Sequence, residues 1–376
     1  MTMVAIMRSA WCDIDLNALE SNARILASIA GVPLLPIVKA NAYGHGVEAV
    51  ADRLATIDQV WGVGVVLVTE ARHLREHGYR GTILIPGGLL PEQAEEALEC
   101  DAVIALSDMG VARALAAEAR RRGTKQRVHI KVDVGMHRLG FPLGDAESVA
   151  GDIAALDGLS LEGVVTHLAA AHAGDEQSLT RTRSEIAVFA RLVSHLRQSY
   201  GPLIAHAANS SALLSLKEAA FDLVRPGLTL YGWTPSEWLG SDVGLQPAMA
   251  VRARVAVVKM TSADALVGYS QTPVGEGQRI GIIPIGYADG IPNRWGVEGG
   301  YVLFLSGKAP LLGSVSMDSC VVDLTDLPGE GIGSTALLLG AGPEGTIEPA
   351  EIGKATGREQ YELLVGLNGR LPRRYH

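Results

Sequence analysis

Apolar and polar positions follow two rhythms along the chain. From residue 33 onward, short apolar runs recur: LLPIVKA (34–40), VWGVGVV (60–66), TILIPG (82–87), AVIAL (102–106), VHIKVDVG (128–135), LEGVVTHL (161–168), PLIAHAANS (202–210) and FDLVRPG (221–227). Between them lie amphipathic stretches such as TEARHLREHG, VARALAAEARRRG and RTRSEIAVFARLVSHLRQ, whose apolar residues fall three and four positions apart. Short runs bounded by glycine and proline read as buried parallel strands, and the longer periodic stretches read as helices. Eight strand–helix units predict an α/β fold, a (β/α)8 TIM-type barrel, ahead of an open doubly wound sheet.

Near residue 240 the rhythm changes to clustered β-branched residues and glycines, in VRARVAVVKM, RIGIIPIGYADG, YVLFLSG, SCVVDLT and ALLLG. Close-spaced short strands with few helical windows predict a mainly β C-terminal domain, which divides the chain into 1–240 and 241–376. The opening WCDID (11–15) alternates and is a candidate to add a strand to that second domain. NALESNARILASIAG then starts the first helix, with Asp15 or Asn17 as its cap. Beyond the strand–helix rhythm there is no internal repeat and no low-complexity segment.

Composition narrows the class. A chain of 376 residues with 48% hydrophobic residues, 44 glycines and 19% charged residues suits an α/β enzyme with tight turns. The formal net charge of −9 argues against a nucleic-acid partner, which needs a cationic surface. The one basic run, Arg120 to Arg122, closes a helical pattern, where it complements the helix dipole. Cys12, Cys100 and Cys320 have neither metal-ligand spacing nor an even count, so they read as structural thiols in a reducing, cytoplasmic setting, with no metal site. The N-terminal MTMVAIMRSAW has an apolar stretch too short for a secretory signal or a membrane span.

In a parallel barrel the C-terminal strand ends face one mouth. The residues placed there are Lys39 after the first run, Arg138 after the fifth and His167 at the end of the sixth. Asn209 and Ser210 follow the seventh, and Arg225 with Gly227 follows the eighth. A lysine at a strand end is partly desolvated, which lowers its pKa toward the neutral amine that forms a Schiff base with a carbonyl. Each position also has a plainer reading. Lys39 alone suits a lysine snorkelling to water, His167 a satisfied core histidine, Arg138 an ion-pair partner of Asp133, and NSS and RPG simple turns. Together, one amine, two guanidiniums, an imidazole and two donor-rich loops point to an anionic ligand that bears a carbonyl. The NSS loop opens a helix and RPGL has a permissive glycine, so both can direct backbone N–H groups at a phosphate. A phosphate site beside a Schiff-base lysine implies pyridoxal phosphate.

VKANAYGHG, KVDVGMHRLG, THL, HAANSSA, RPGLTLYG, IGYADG, SMD and the terminal RLPRRY together resemble the alanine racemases, fold-type III enzymes that use pyridoxal phosphate. The resemblance runs in order over essentially the whole chain, and VKANAYGHG and RLPRRY are its most specific parts. It implies that Lys39 holds the cofactor covalently and acts as one catalytic base. It further implies that Tyr43, Ser210, Gly227, Leu228 and Tyr375 donate to the cofactor phosphate, with Asn209 lining that side. His167 would pack against the pyridine ring and Arg225 would face its nitrogen. Arginine leaves that nitrogen unprotonated, so the ring is a poorer electron sink, which suits racemisation. Tyr287 in IGYADG would be the second base on the opposite face, supplied by the β domain of a second subunit in a homodimer with shared active sites. Arg138, Met317 and Asp318 would frame the substrate carboxylate, the latter two again from the partner. Lys131 aligns with a lysine that is carbamylated in many members.

The implied activity is interconversion of L- and D-alanine by a two-base mechanism, supplying D-alanine for peptidoglycan, with a small amino acid as substrate and no membrane partner. Two departures bear on substrate choice. THLAAAHAGD has His172 where the family often has an acidic residue, and GSVSMD has Ser314 where it often has an arginine, both in the access channel of relatives. Racemisation of serine or a broad set of amino acids is therefore the alternative. Barrel-type amino-acid decarboxylases share the lysine but not YADG or RLPRRY, and a single-domain pyridoxal-phosphate carrier would lack the β domain.

Overall fold

The computed structural model describes residues 8–240 and 243–376. The apolar stretch at residues 1–7, read above as too short for a signal or a membrane span, lies outside the described residues. The chain divides into two compact units: a barrel unit of Ala18–Ala42 and Val47–Gln246, and a β unit of Tyr43–Gly46, Pro247–His376 and the described part of Met1–Asn17.

In the barrel unit, parallel strands follow one another in the order Gly62–Gly64, Thr82–Ile85, Ala102–Leu106, Gln126–Asp133, Leu159–Val165, Ile204–Asn209 and Leu223–Arg225. Ala102–Leu106 is buried at every position, as expected of a strand covered on both faces. The run at 34–40 is not a regular strand. Leu34 bridges both Val60 and Val224, and Ile37 bridges Gly64, so this segment joins the first and last strands and nearly closes the barrel. Pro36 explains the broken ladder, because it offers no N–H where a central strand needs one. The neighbouring donors still pair, Leu35 N to Val224 O and Val38 N to Gly64 O, each at 2.8 Å.

The β unit is built on a sheet ordered Gly307–Pro310, Tyr301–Phe304, Thr335–Gly342, Met249–Arg254, Ala10–Ile14 and Arg373–Tyr375, with Gly345–Ile347 added at Thr335–Gly342. Ala10–Ile14 runs antiparallel to Met249–Arg254 and parallel to Arg373–Tyr375, so segments from near both chain ends pair side by side. A second sheet joins Val257–Met260, Arg279–Ile283 and Cys320–Asp323. Arg252 ties the first sheet through Asp13 at 2.8 Å and Glu344 at 3.0 Å. Asp15 accepts from the Asn17 N–H at 2.8 Å, so of the two cap candidates it is Asp15 that caps the helix Leu16–Ala30.

Cys12, Cys100 and Cys320 are buried free thiols. No helix among the described residues is long and apolar enough to cross a membrane, and no cluster of His, Cys, Asp or Glu among them could hold a metal ion.

Candidate active site

The barrel unit gathers Lys39, Lys131, Arg138, His167 and Arg225 in one electrostatically coupled group. Lys39 opens a tight turn, Lys39–Tyr43, in which Ala40, Asn41, Ala42 and Tyr43 all have φ between 52° and 55°. Consecutive left-handed residues that are not glycine are costly, about 1–2 kcal/mol each, so the surroundings must hold them. Glu70 does part of this. One carboxylate oxygen accepts from Ala40 N at 2.7 Å, and the other accepts from Val66 N at 2.9 Å and Leu67 N at 3.0 Å. Asn41 Oδ1 accepts from Val47 N at 2.8 Å.

Burial, and then the charge of Arg138, lower the Lys39 amine below its ordinary value, with Glu70 opposing. Lys131 donates to the Pro86 carbonyl at 2.6 Å, and burial together with the charges of Arg225 and Arg138 pushes its amine down to about 8. His167 is pushed down to about 3 by burial, then by the charges of Arg225, Arg138, Lys131 and Lys39, which keeps its ring neutral. Four cations thus act on one another in one region. The carboxylates that oppose them, Glu70 and Asp133, already accept from backbone N–H groups. Asp133 pairs with the N–H groups of Gly135, Met136 and His137, not with Arg138 as the plainer reading had it.

Arg225 is almost fully buried. It donates to Thr166 O at 2.7 Å and Ala207 O at 2.9 Å, and its Nη1 lies 3.0 Å from His206 Nδ1. No carboxylate among the described residues pairs with it, so its charge is open to an electron-rich partner. Ser210 Oγ accepts from Gly227 N at 2.9 Å and Thr229 Oγ1 at 3.1 Å, which leaves its own proton free to donate. Leu228 is buried and begins the helical turn Leu228–Tyr231, where the first N–H groups have no partner within the turn. Asn209 is committed at both ends of its amide, donating to Leu168 O at 3.0 Å and capping Ser210–Ser215 through Ala212 N at 3.1 Å.

The remaining sequence-predicted residues belong to the β unit. Its Tyr43–Gly46 segment is gripped from the C-terminus: Arg373 donates to Gly44 O at 2.8 Å, and a Cβ at Gly46 would stand 1.9 Å from Tyr375 Oη. Burial, then the charge of Tyr361, raise the Tyr43 phenol, which therefore stays a donor. Tyr287 begins a tight turn, Tyr287–Asp289, stitched to the loop before Cys320 by Tyr287 N to Ser316 O and Ala288 N to Met317 O, both at 3.0 Å. A Cβ at Gly286 would come within 2.2 Å of Ser316 O, so only glycine allows this approach. Buried Asp289 accepts from Gly286 N at 3.0 Å and pairs with Arg8 at 2.6 Å and Arg370 at 3.2 Å. Arg370 also pairs with Asp318. Tyr287, Met317 and Tyr375 are exposed, at 44%, 52% and 42%.

His172 and Ser314 have local roles. The His172 carbonyl accepts from Trp238 Nε1 at 2.6 Å and Ser236 Oγ at 3.0 Å, and Ser314 N donates to Ser270 Oγ at 3.0 Å. Glu70, Thr229 and His206 were not among the residues read from sequence as functional. His206 stands inside HAANSSA, three residues before Asn209, and that position was its only signal. Glu70 lies in a helical pattern with nothing to mark it.

Residues 14–235 match the family model described as alanine racemase, N-terminal domain, and residues 248–375 match alanine racemase, C-terminal domain. The chain is 36% identical to the alanine racemase of Symbiobacterium thermophilum, over 98% of this chain and 97% of that one. It is also 36% identical to that of Desulforamulus reducens, over 97% and 98%. Among solved structures it resembles the alanine racemase of the D-cycloserine producer Streptomyces lavendulae, with TM-score 0.89 and 32% identity over 98% and 97% of the two chains. The enzyme of Streptomyces coelicolor is similar, with TM-score 0.88 and 33% identity over 99% and 98%. The chain belongs to the alanine racemase family.

Proposed function

We propose that this protein interconverts L- and D-alanine with pyridoxal phosphate held at Lys39. The observation that carries this reading is the half-buried Lys39 amine, lowered in pKa and set among cations, with the buried Arg225 guanidinium unpaired by any carboxylate among the described residues. The residues present fit the cofactor. Ser210 has a free proton, the turn that Gly227 precedes offers the Leu228 N–H, and Tyr43 and Tyr375 flank a glycine segment that a side chain would fill. Those groups would hold the phosphate, with Asn209 on that side as the residue that fixes the loop. His167, neutral, would lie against the ring, and Arg225 would donate to the ring nitrogen.

When bound, pyridoxal phosphate supplies an electron sink for negative charge developing at the substrate Cα. Lys39 takes or returns the Cα proton on one face, and its lowered pKa makes the neutral amine available for this. Tyr287 does the same on the other face. We assign Tyr287 to a second copy of the chain in a homodimer, because its exposed phenol, with Met317 and Asp318, is presented outward on the β unit. Arg138, with Met317 and Asp318 of that second copy, would bind the substrate carboxylate. Carbamylation of Lys131 would turn an amine among cations into a carboxylate that pairs with Arg138. The three reduced thiols agree with a cytoplasmic setting.

Incubating the purified protein with L-alanine, L-serine and other small amino acids in turn, followed by chiral chromatography, tests the assignment. Alanine should turn over best, with measurable serine turnover, since one hydroxyl changes discrimination by only about 1–3 kcal/mol. A serine kcat/KM at or above that of alanine would make this a serine racemase, and no alanine turnover would overturn the reading.

A further inference from the structure

Behind Arg225 the barrel core holds two histidines that the proposed chemistry does not use. His206 Nε2 lies 2.8 Å from His129 Nδ1, and both rings are fully buried. With the 3.0 Å contact between Arg225 Nη1 and His206 Nδ1, this makes an unbroken line of three side chains. We propose that His129 is a positioning residue for Arg225, acting through His206 by holding it in the one tautomer that can accept from the guanidinium. The functional side of this inference rests on the reading that Arg225 faces the cofactor.

The proton inventory has a single solution. A guanidinium only donates, so His206 Nδ1 must present its lone pair. A neutral imidazole then carries its proton on Nε2, which donates to His129 Nδ1. That nitrogen in turn must accept, so the His129 proton sits on Nε2. This Nε2 is buried and has no hydrogen-bond partner among the described residues.

Protonating either ring would break the line, because it would set two donors against each other. Burial opposes that, as do the surrounding charges: Arg127 and Arg225 act on His129, and Arg225 and Lys131 on His206. His129 is accordingly pushed down to about 3.

Packing gives a reason to think this arrangement is not mere filler. An orphaned buried donor is unfavourable, and a leucine of similar volume would avoid it. The backbone nevertheless makes room for the imidazole: a Cβ at Gly163 would stand 2.7 Å from His129 Cδ2 and Cε1, and 2.6 Å from Ile204 O. Trp61 lies against the ring with centroids 6.2 Å apart. The line therefore sacrifices one hydrogen bond at its far end and keeps a defined acceptor at Arg225. With Thr166 O and Ala207 O, that acceptor fixes the guanidinium plane from three sides.

Neutron diffraction from crystals of the holoenzyme tests the tautomers directly. Deuterons should appear on Nε2 of both His206 and His129 and on neither Nδ1, and a deuteron on His206 Nδ1 would overturn the proposal. Two variants test the function. His129→Asn keeps an acceptor oxygen near the Nδ1 position, whereas His129→Leu keeps volume alone. In the leucine variant kcat should fall by about 10–100-fold, the scale at which outer partners orient metal ligands. Its KM should stay close to wild type and its bound-cofactor absorbance should shift, while the asparagine variant should retain wild-type behaviour. Equal losses in both variants would reduce His129 to packing and sink the idea. If neither variant folds, the neutron result decides. A leucine variant whose Arg225 has moved in its crystal structure, but whose cofactor absorbance is unchanged, would leave the relay standing and remove Arg225 from the cofactor.

Discussion

Glu70 accepts a hydrogen bond from the backbone N–H of Ala40 at 2.7 Å, which joins the first turn of one helix to the residue that follows Lys39. The bond holds the entrance to a left-handed turn that its own residues do not favour. Glu70→Ala would leave the N–H groups of Ala40, Val66 and Leu67 without this acceptor. Urea unfolding should show a loss of about 1–3 kcal/mol. Racemase activity should drop further than stability explains, since the turn that aims Lys39 is released. Unchanged activity in the folded variant would show that the turn holds itself.

Lys39→Ala should remove the visible absorbance of the bound cofactor and the racemase activity together. Borohydride reduction followed by peptide mapping checks it in the wild type. A reducible adduct surviving in the variant would place the cofactor on another lysine.

Tyr287→Phe should act on one enantiomer. Exchange of the α-hydrogen from L-alanine in deuterium oxide should fall by roughly two to four decades, the usual contribution of a positioned base, and exchange from D-alanine should fall less. Equal loss in both directions would count against separate bases.

The active unit should be a homodimer whose copies share sites. Mixing inactive Lys39→Ala chains with inactive Tyr287→Phe chains should restore part of the activity, because one kind of mixed site then carries both native residues. A fully active monomer in sedimentation would rule this out.

Lys131 should make stability depend on alkaline pH when carbon dioxide is excluded and its amine is free. Burial lowers the folded-state amine to about 8, below its ordinary value of 10.5. Between these values the unfolded chain binds more protons, so the Lys131 contribution to stability rises with pH across that window and is most unfavourable below it. The full difference corresponds to up to roughly 3 kcal/mol. Lys131→Met should flatten the curve from pH 8 to 10.5 and raise stability at pH 7, as read by urea midpoints. A wild-type curve already flat there would show that the amine is not desolvated.

The barrel and the β sheets were legible in the chain because apolar periodicity is a local property: AVIAL at 102–106 is a strand wherever it packs, and the coverage of both its faces is written in its own composition. The family was legible because its motifs are short and contiguous. The chain alone also carried the signal that breaks the first strand, in Pro36, although the periodic pattern outweighed it. Tertiary structure decided what depends on residues far apart in sequence. The segment Tyr43–Gly46 belongs with the β unit because Arg373 and Tyr375 pack against its glycines. Glu70 matters because its helix begins beside Ala40, thirty positions earlier in the chain. His129 and His206 are 77 positions apart, and neither has a defined tautomer until the barrel brings them within 2.8 Å of each other and Arg225 forces His206 to accept. Hydrogen-bond direction and proton position are set by the partner, and in this protein the partners are supplied by the fold.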